Sequence, residues 1–281
     1  MEKNDIEKQK HYKEQVKDYV ADIKAFVKRE NEVLDGCRKN PDIAAVKLFN
    51  LAGEELDIAS KYLIVNGISS AVLDMRNEEA LNEARKSILK SIIYIENIVT
   101  GKVDAVFSTY EKFLDELADI SPERKLYFIR KAGLAVDLMK AAYGDNSRWK
   151  PAFVDIDGRF AVIAKNLLDL RKAQTSDISG KDYAPITHHV RLVKKLLNKC
   201  ANQFLERYSM MTKSTEDLRL AINFLSALKH FKIMLQDSDD IDVIRKKLES
   251  WKALFDVECK NNPQGLQGGG GGKHENTNRA F

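Results

Sequence analysis

The residues able to do chemistry in this chain are scattered along it. Five histidines, His11, His188, His189, His230 and His274, make neither a His-Glu-x-x-His motif nor the Glu-x-x-His pairs that carboxylate-bridged di-iron bundles take from facing helices. His188 and His189 point about 100° apart on a helix, so they cannot chelate together, and surface or first-turn positions are expected for them. Asp237, Asp239, Asp240 and Asp242 form an acidic cluster of the kind that holds magnesium on a helix face. The spacing departs from an Asp-Asp-x-x-Asp motif, however, and Asp239 and Asp240 fall where an N-cap and first-turn acids are wanted ahead of Ile241. Asp155-Ile156-Asp157-Gly158 echoes the start of a calcium loop, but it sits inside a helical seam and lacks a bidentate glutamate at the required distance. No metal or cofactor is expected.

Nucleophile and phosphate chemistry find no better footing. The sequence contains no Gly-x-Ser-x-Gly elbow, no Gly-x-x-x-x-Gly-Lys loop and no Gly-x-Gly-x-x-Gly loop, and the glycine run ahead of Lys273 opens no helix. Cys37, Cys200 and Cys259 are odd in number and far apart, which excludes a disulfide framework and a Cys-x-x-Cys knuckle and points to a reducing, cytoplasmic setting. The first residues run directly into charge without an apolar leader, and no stretch approaches the 18 or so apolar residues of a membrane span. The expectation is a protein that is not an enzyme.

One feature of charge stands out. Between Tyr183 and Leu205 there is no acid, while Arg191, Lys194, Lys195 and Lys199 accumulate on one arc of a helix whose opposite arc carries Val190, Val193, Leu196, Leu197, Cys200 and Phe204. Such a stripe suits an anionic partner, a phosphate backbone included, although most basic runs on helix faces are only solvated. Overall charge gives little guidance, since 46 Lys and Arg against 42 Asp and Glu leave a net +4, too mild to demand nucleic acid or lipid.

The elements that must position these residues are helices. Only 14 glycines and 5 prolines in 281 residues, five of the glycines in a single run, leave too little turn chemistry for a many-stranded fold. A content of 44% hydrophobic and 31% charged residues supports a sizeable core beneath a charged surface. Ser121-Pro122-Glu123 is a complete helix start. The periodicity predicts nine helices at about 4–37, 41–65, 77–100, 103–119, 122–143, 148–174, 185–211, 215–236 and 239–259. Trp149, Phe153, Ile156, Phe160, Ile163, Leu167 and Leu170 step by four and three, a seam that packs helices at shallow angles. The isoleucines around Ile88, Ile92, Ile93 and Ile95 wrap most of their helix and predict that it lies at the centre.

The fold class expected is therefore all-α, an elongated bundle of about nine helices with coiled-coil-like seams. It divides into an amphipathic N-terminal helix (1–38), two bundle halves (39–175 and 176–260) separated near the polar segment Thr175–Tyr183, and a flexible glycine-rich tail (261–281). In the N-terminal helix Val16, Val20, Ile23 and Val27 form an apolar stripe, with Glu30 occupying one seam position, and the charged remainder predicts a helix standing off the core. That stripe is the expected self-association face. Phe281, an aromatic ring beside a free carboxylate at the end of a glycine tether, is the second expected contact. Function is then expected to be association, with copies of itself or with a partner helix, and the alternative is a nucleoprotein-like role for Arg191, Lys194, Lys195 and Lys199.

Overall fold

The computed structural model describes residues 3–40 and 43–261. Ten α-helices fill them: α1 Lys3–Lys39, α2 Ala44–Leu73, α3 Glu78–Ile98, α4 Phe107–Asp115, α5 Pro122–Tyr143, α6 Lys150–Asn166, α7 Leu170–Thr175, α8 Tyr183–Arg207, α9 Thr215–Met234 and α10 Ile241–Asn261. A single π-helical turn, Tyr208–Thr212, follows α8. The chain is an all-α multi-helix bundle, and among the described residues there is no strand. Phe281 and the glycine run lie outside the described residues.

Local signals set most boundaries. The Ser121 hydroxyl accepts a hydrogen bond from the Arg124 amide at 3.2 Å, and Pro122 opens α5. Asn77 caps α3 in the same way, its side-chain oxygen 2.9 Å from the Ala80 amide. The helix starting after Pro41 runs past Gly67 to Leu73 and stops where Asp74 turns left-handed, with φ 53°. Gly67 is too weak a breaker to end a helix whose flanks are both packed.

The expected helix over 148–174 is two helices. Asn166 turns its side chain to the carbonyls of Thr100 and Lys102, at 2.9 and 3.3 Å. Asp169 then caps a new start by accepting from the amides of Arg171 and Lys172. The apolar step of four and three continues through the break because Leu167, Leu168 and Leu170 remain buried, so periodicity alone could not reveal it.

Burial also moves the centre of the bundle. In α6 and just after it, Phe160 to Leu168 are buried on every side except Arg159 before them, and the helix touches α3, α5 and α8. In α3, by contrast, Ile88, Ile92 and Ile95 are buried while Ile93 is 40% exposed. α6, not α3, is the central helix. One continuous apolar core joins Ile23 and Leu48 near the start to Phe231 and Leu248 near the end, and it crosses the polar segment 175–183 without interruption. α2 has the length and mean hydropathy of a membrane-crossing helix; it pairs along its length with α3 and with α1.

The N-terminal helix is packed rather than detached. Its buried line is Tyr12, Val16, Tyr19, Ile23, Phe26, Glu30, Val33 and Cys37, with Tyr12, Tyr19 and Val33 half-buried, and the steps again alternate four and three. Val20 and Val27 are 37% and 47% exposed, since each sits one residue past the aromatic that takes the inward position. Tyr and Phe bury more apolar area than Val, so the aromatics decide which face turns in.

A buried polar knot fixes this helix to its neighbours. Glu30 and Glu55 are each 2% exposed. Lys90 ion-pairs with both, at 2.9 Å to Glu55, and the Tyr94 hydroxyl donates to Glu30 Oε1 at 2.5 Å. Burial opposes ionisation of both carboxyls. Against it, hydrogen bonds with Glu55, Lys90 and Tyr94 hold Glu30 below its ordinary value. On Glu55, burial and the neighbouring Glu30 prevail and push the carboxyl up to about 7.

Candidate functional site: an apolar groove edged by a methionine turn

The C-terminal end of α5, the first turns of α6 and the end of α8 enclose a groove of about 600 Å³. Its floor contains Phe153 and Val154, and its rim carries Lys140, Lys150, Met210 and Met211. The volume is within the range of ligand-sized and peptide side-chain pockets.

The methionines are presented by the π turn. The Lys213 amide bonds back to the Tyr208 carbonyl at 3.0 Å, and Lys213 is left-handed at φ 52°, which closes the turn. An Arg207–Asp217 knot holds it there. The Arg207 guanidinium donates to the Pro151 carbonyl at 2.8 Å and to Asp217 Oδ1 at 3.1 Å through Nε, and it pairs with Asp155 at 2.9 Å. Thr212 donates its hydroxyl to Asp217 Oδ2 at 2.6 Å. Burial disfavours the Arg207 charge, yet the hydrogen bonds to Asp155 and Asp217 outweigh it and raise its already high pKa. Met210 and Met211 are consequently 78% and 58% exposed on a rigid base. π turns inside helical segments recur at functional sites, and flexible, polarizable methionine suits surfaces that accommodate varied partners.

Asp157 lies deeper in the same groove and is 4% exposed. Lys140 from α5 pairs with it, Lys199 from α8 approaches at 3.3 Å, and Gln203 donates its amide at 3.0 Å. The Gln203 carbonyl oxygen is buried with no hydrogen-bond partner among the described residues. Asp155 and Asp157, which echoed a calcium loop in the sequence, are both consumed by cations of the fold. Among the described residues no group of three His, Cys, Asp or Glu side chains is placed to hold a metal.

The outer face of α5 leads into this groove. Tyr127, Leu134 and Leu138 are 66%, 59% and 48% exposed, and with Ala141 they occupy an arc of about 60° on the helix. Arg130 and Lys131 separate Tyr127 from the others, and Ala141 lines the groove, so the exposed apolar row runs from Leu134 to the groove that Met210 and Met211 also line.

The comparisons with known proteins add one finding. The TP0443 family matches residues 8–258, from the early turns of α1 nearly to the end of α10. The chain belongs to the TP0443 family. No curated protein matches it, and no solved structure does.

The residues singled out in the sequence lie elsewhere. Val16 and Ile23 are buried in the bundle, whereas Val20 and Val27 face outward. The four basic residues of α8 are not an open stripe. Lys194 pairs with Asp237 and Lys199 with Asp157, and only Arg191 and Lys195 are exposed without an ion pair among the described residues. The acids that complete these pairs come from α6 and from the turn after α9, too far away in sequence to be seen beside α8. Asp237, from the acidic cluster, also binds Lys232 at 3.3 Å and accepts from the Asp239 amide at 3.2 Å. Asp240 turns left-handed at φ 59°. Asp237 therefore ties α8 to the end of α9, and among the described residues neither Asp239 nor Asp240 caps α10 with a side-chain hydrogen bond.

His189 is a further correction. It is fully buried on α8, with Nε2 2.8 Å from the Ala164 carbonyl of the central helix. Burial, with the nearby Lys125 charge, lowers its pKa to about 4, so it is a neutral donor tying α8 to α6. Sequence reasoning missed the groove because Lys140, Gln203, Arg207 and the methionines reach it from separate helices. The one available signal was the adjacent pair Met210-Met211 at the end of an amphipathic helix.

Proposed function

We propose that this protein is a non-enzymatic helical interaction protein, and that it docks an amphipathic helix, from a second copy or from a partner, along the outer face of α5 and into the methionine-edged groove. The observation that carries the reading is the exposed apolar row Leu134, Leu138 and Ala141 leading to the groove of Met210 and Met211. Large apolar side chains exposed singly are ordinary, whereas a contiguous stripe at heptad spacing ending in a pocket is what a helix-in-groove contact requires. Buried free thiols at Cys37 and Cys200 fit a reducing compartment.

Self-association through α1 loses support because Val16 and Ile23 are used inside the bundle. A nucleic-acid role loses support because two of the four stripe cations are paired with carboxylates.

Light scattering of the full chain, together with photo-crosslinking from a benzoylphenylalanine placed at Leu134 or Met211, tests the proposal. A dimeric mass or a discrete crosslinked protein is expected, and Leu138→Glu should abolish it while the thermal midpoint stays within about 2 °C, as expected for a surface substitution. A monomeric mass with no crosslinked product from either position would overturn it.

A further inference from the structure

A second cavity, of about 350 Å³, lies on another side of the bundle between α4, α9, the end of α6 and the loop 99–106. Its wall is apolar, with Val103, Phe107, Leu170 and Phe231 buried around it. Lys165 projects into it from the central helix and is only 6% exposed. Its ammonium donates one hydrogen bond, to the Ala105 carbonyl at 3.2 Å, and lies 5.4 Å from the centre of the Tyr110 ring. An ammonium has three donors, and among the described residues no carboxylate lies within ion-pair distance of this one. The lining acid Asp104 is exposed at the mouth and makes no ion pair with it.

An unpaired buried cation normally costs several kcal/mol, and the space around it decides what can offset that cost. Lys125 offers the comparison. It too is 6% exposed, but the hollow beside it is about 20 Å³, room for a single water. The hollow beside Lys165 is large enough for an organic molecule, and its roof is fixed in advance, because Asn166 and Lys165 both bind carbonyls of the 99–106 loop.

We propose that this cavity binds a small monocarboxylate with an apolar body, the carboxylate pairing with Lys165 Nζ and the body lying against Phe107, Leu170 and Phe231. The carboxylate uses the two idle donors and the apolar wall excludes water around the pair, which strengthens it. An inorganic anion uses only the cation, and a neutral apolar molecule only the wall. This site shares no lining residue with the groove of α5 and α8 and does not depend on the docking proposal.

Calorimetric titration of the full chain with benzoate, benzyl alcohol and inorganic phosphate tests it. Benzoate is expected to bind at least 10-fold more tightly than either control, and Lys165→Met should remove that preference while the protein stays folded, since apolar replacement of a buried charge is tolerated. The wild-type protein supplies an independent arm. Burial lowers the Lys165 pKa to about 8, partly opposed by Asp104, so benzoate affinity should fall about tenfold per pH unit above about 9 once bound carboxylate no longer finds the charged form. His230 and Tyr110 are the other titratable groups of the lining; burial raises the Tyr110 pKa well beyond this range. Equal affinities for benzoate and benzyl alcohol, an unchanged preference in Lys165→Met, or no binding of benzoate at all would each overturn the proposal.

Discussion

The Glu30–Glu55 pair makes the stability of this protein pH-dependent in a direction opposite to that of most carboxylates. In the folded state the Glu55 carboxyl holds its proton up to about 7, against an ordinary value of 4.5, because burial and the adjacent Glu30 both oppose a second negative charge. Between these two values the folded protein binds more protons than the unfolded chain, so stability falls as pH rises. A folded-state pKa raised in this way contributes stability that is fully present below about pH 4.5 and lost as pH passes 7. Each pKa unit corresponds to about 1.4 kcal/mol, so Glu55 alone would lose on the order of 3 kcal/mol across that interval. Glu30, held low by its hydrogen bonds with Glu55, Lys90 and Tyr94, changes its contribution only below about pH 4.5 and is ionised in both states across this interval, so it offsets little of that loss. The perturbation is Glu55→Gln, whose amide can donate to Glu30 as the protonated acid does but cannot ionise. Urea unfolding at closely spaced pH values from 5 to 8 should show a declining stability in the wild type. The variant should lose that component. If both proteins show the same slope, the shared-proton description of the pair is wrong.

Three further outcomes follow from the packing. Gly158→Ala should destabilise by about 1–3 kcal/mol in denaturant unfolding, despite alanine's higher helix propensity, because an added Cβ would come within 3.0 Å of Phe204 and 3.3 Å of Phe224, rings stacked with centres 5.3 Å apart. Asp217→Ala should cost about 3–5 kcal/mol, since it leaves the Arg207 guanidinium without its buried carboxylate, and amide exchange should quicken selectively over Tyr208–Thr212. In α1, Ile23→Ala should cost about 2–5 kcal/mol, whereas Val20→Lys and Val27→Lys should each stay within about 0.5 kcal/mol; a large loss from the valine variants, read by thermal unfolding, would show that the inward face of α1 has been misplaced.

The sequence by itself determined the fold class. Scarce glycine and proline, apolar residues stepping by four and three, and explicit starts such as Ser121-Pro122 leave no alternative to helices, since these are signals of the local backbone and of one face at a time. It also marked Glu30 as an anomaly at a seam position. Tertiary structure decided everything that depends on which of two neighbouring residues turns inward or on partners distant in the chain. Tyr19 and Phe26 displaced Val20 and Val27 from the inner face of α1 because larger aromatic area gains more from burial. Asp169 and Asn166 ended the central helix although the apolar period ran on, because their hydrogen bonds go to the next helix start and to the loop 99–106. Lys194 and Lys199 read as an open basic stripe until Asp237 and Asp157 came to neutralise them. The groove and the Lys165 cavity were invisible for the same reason. Each is assembled from helices separated by dozens of residues, and a linear pattern records the face a residue prefers but not the residue it meets there.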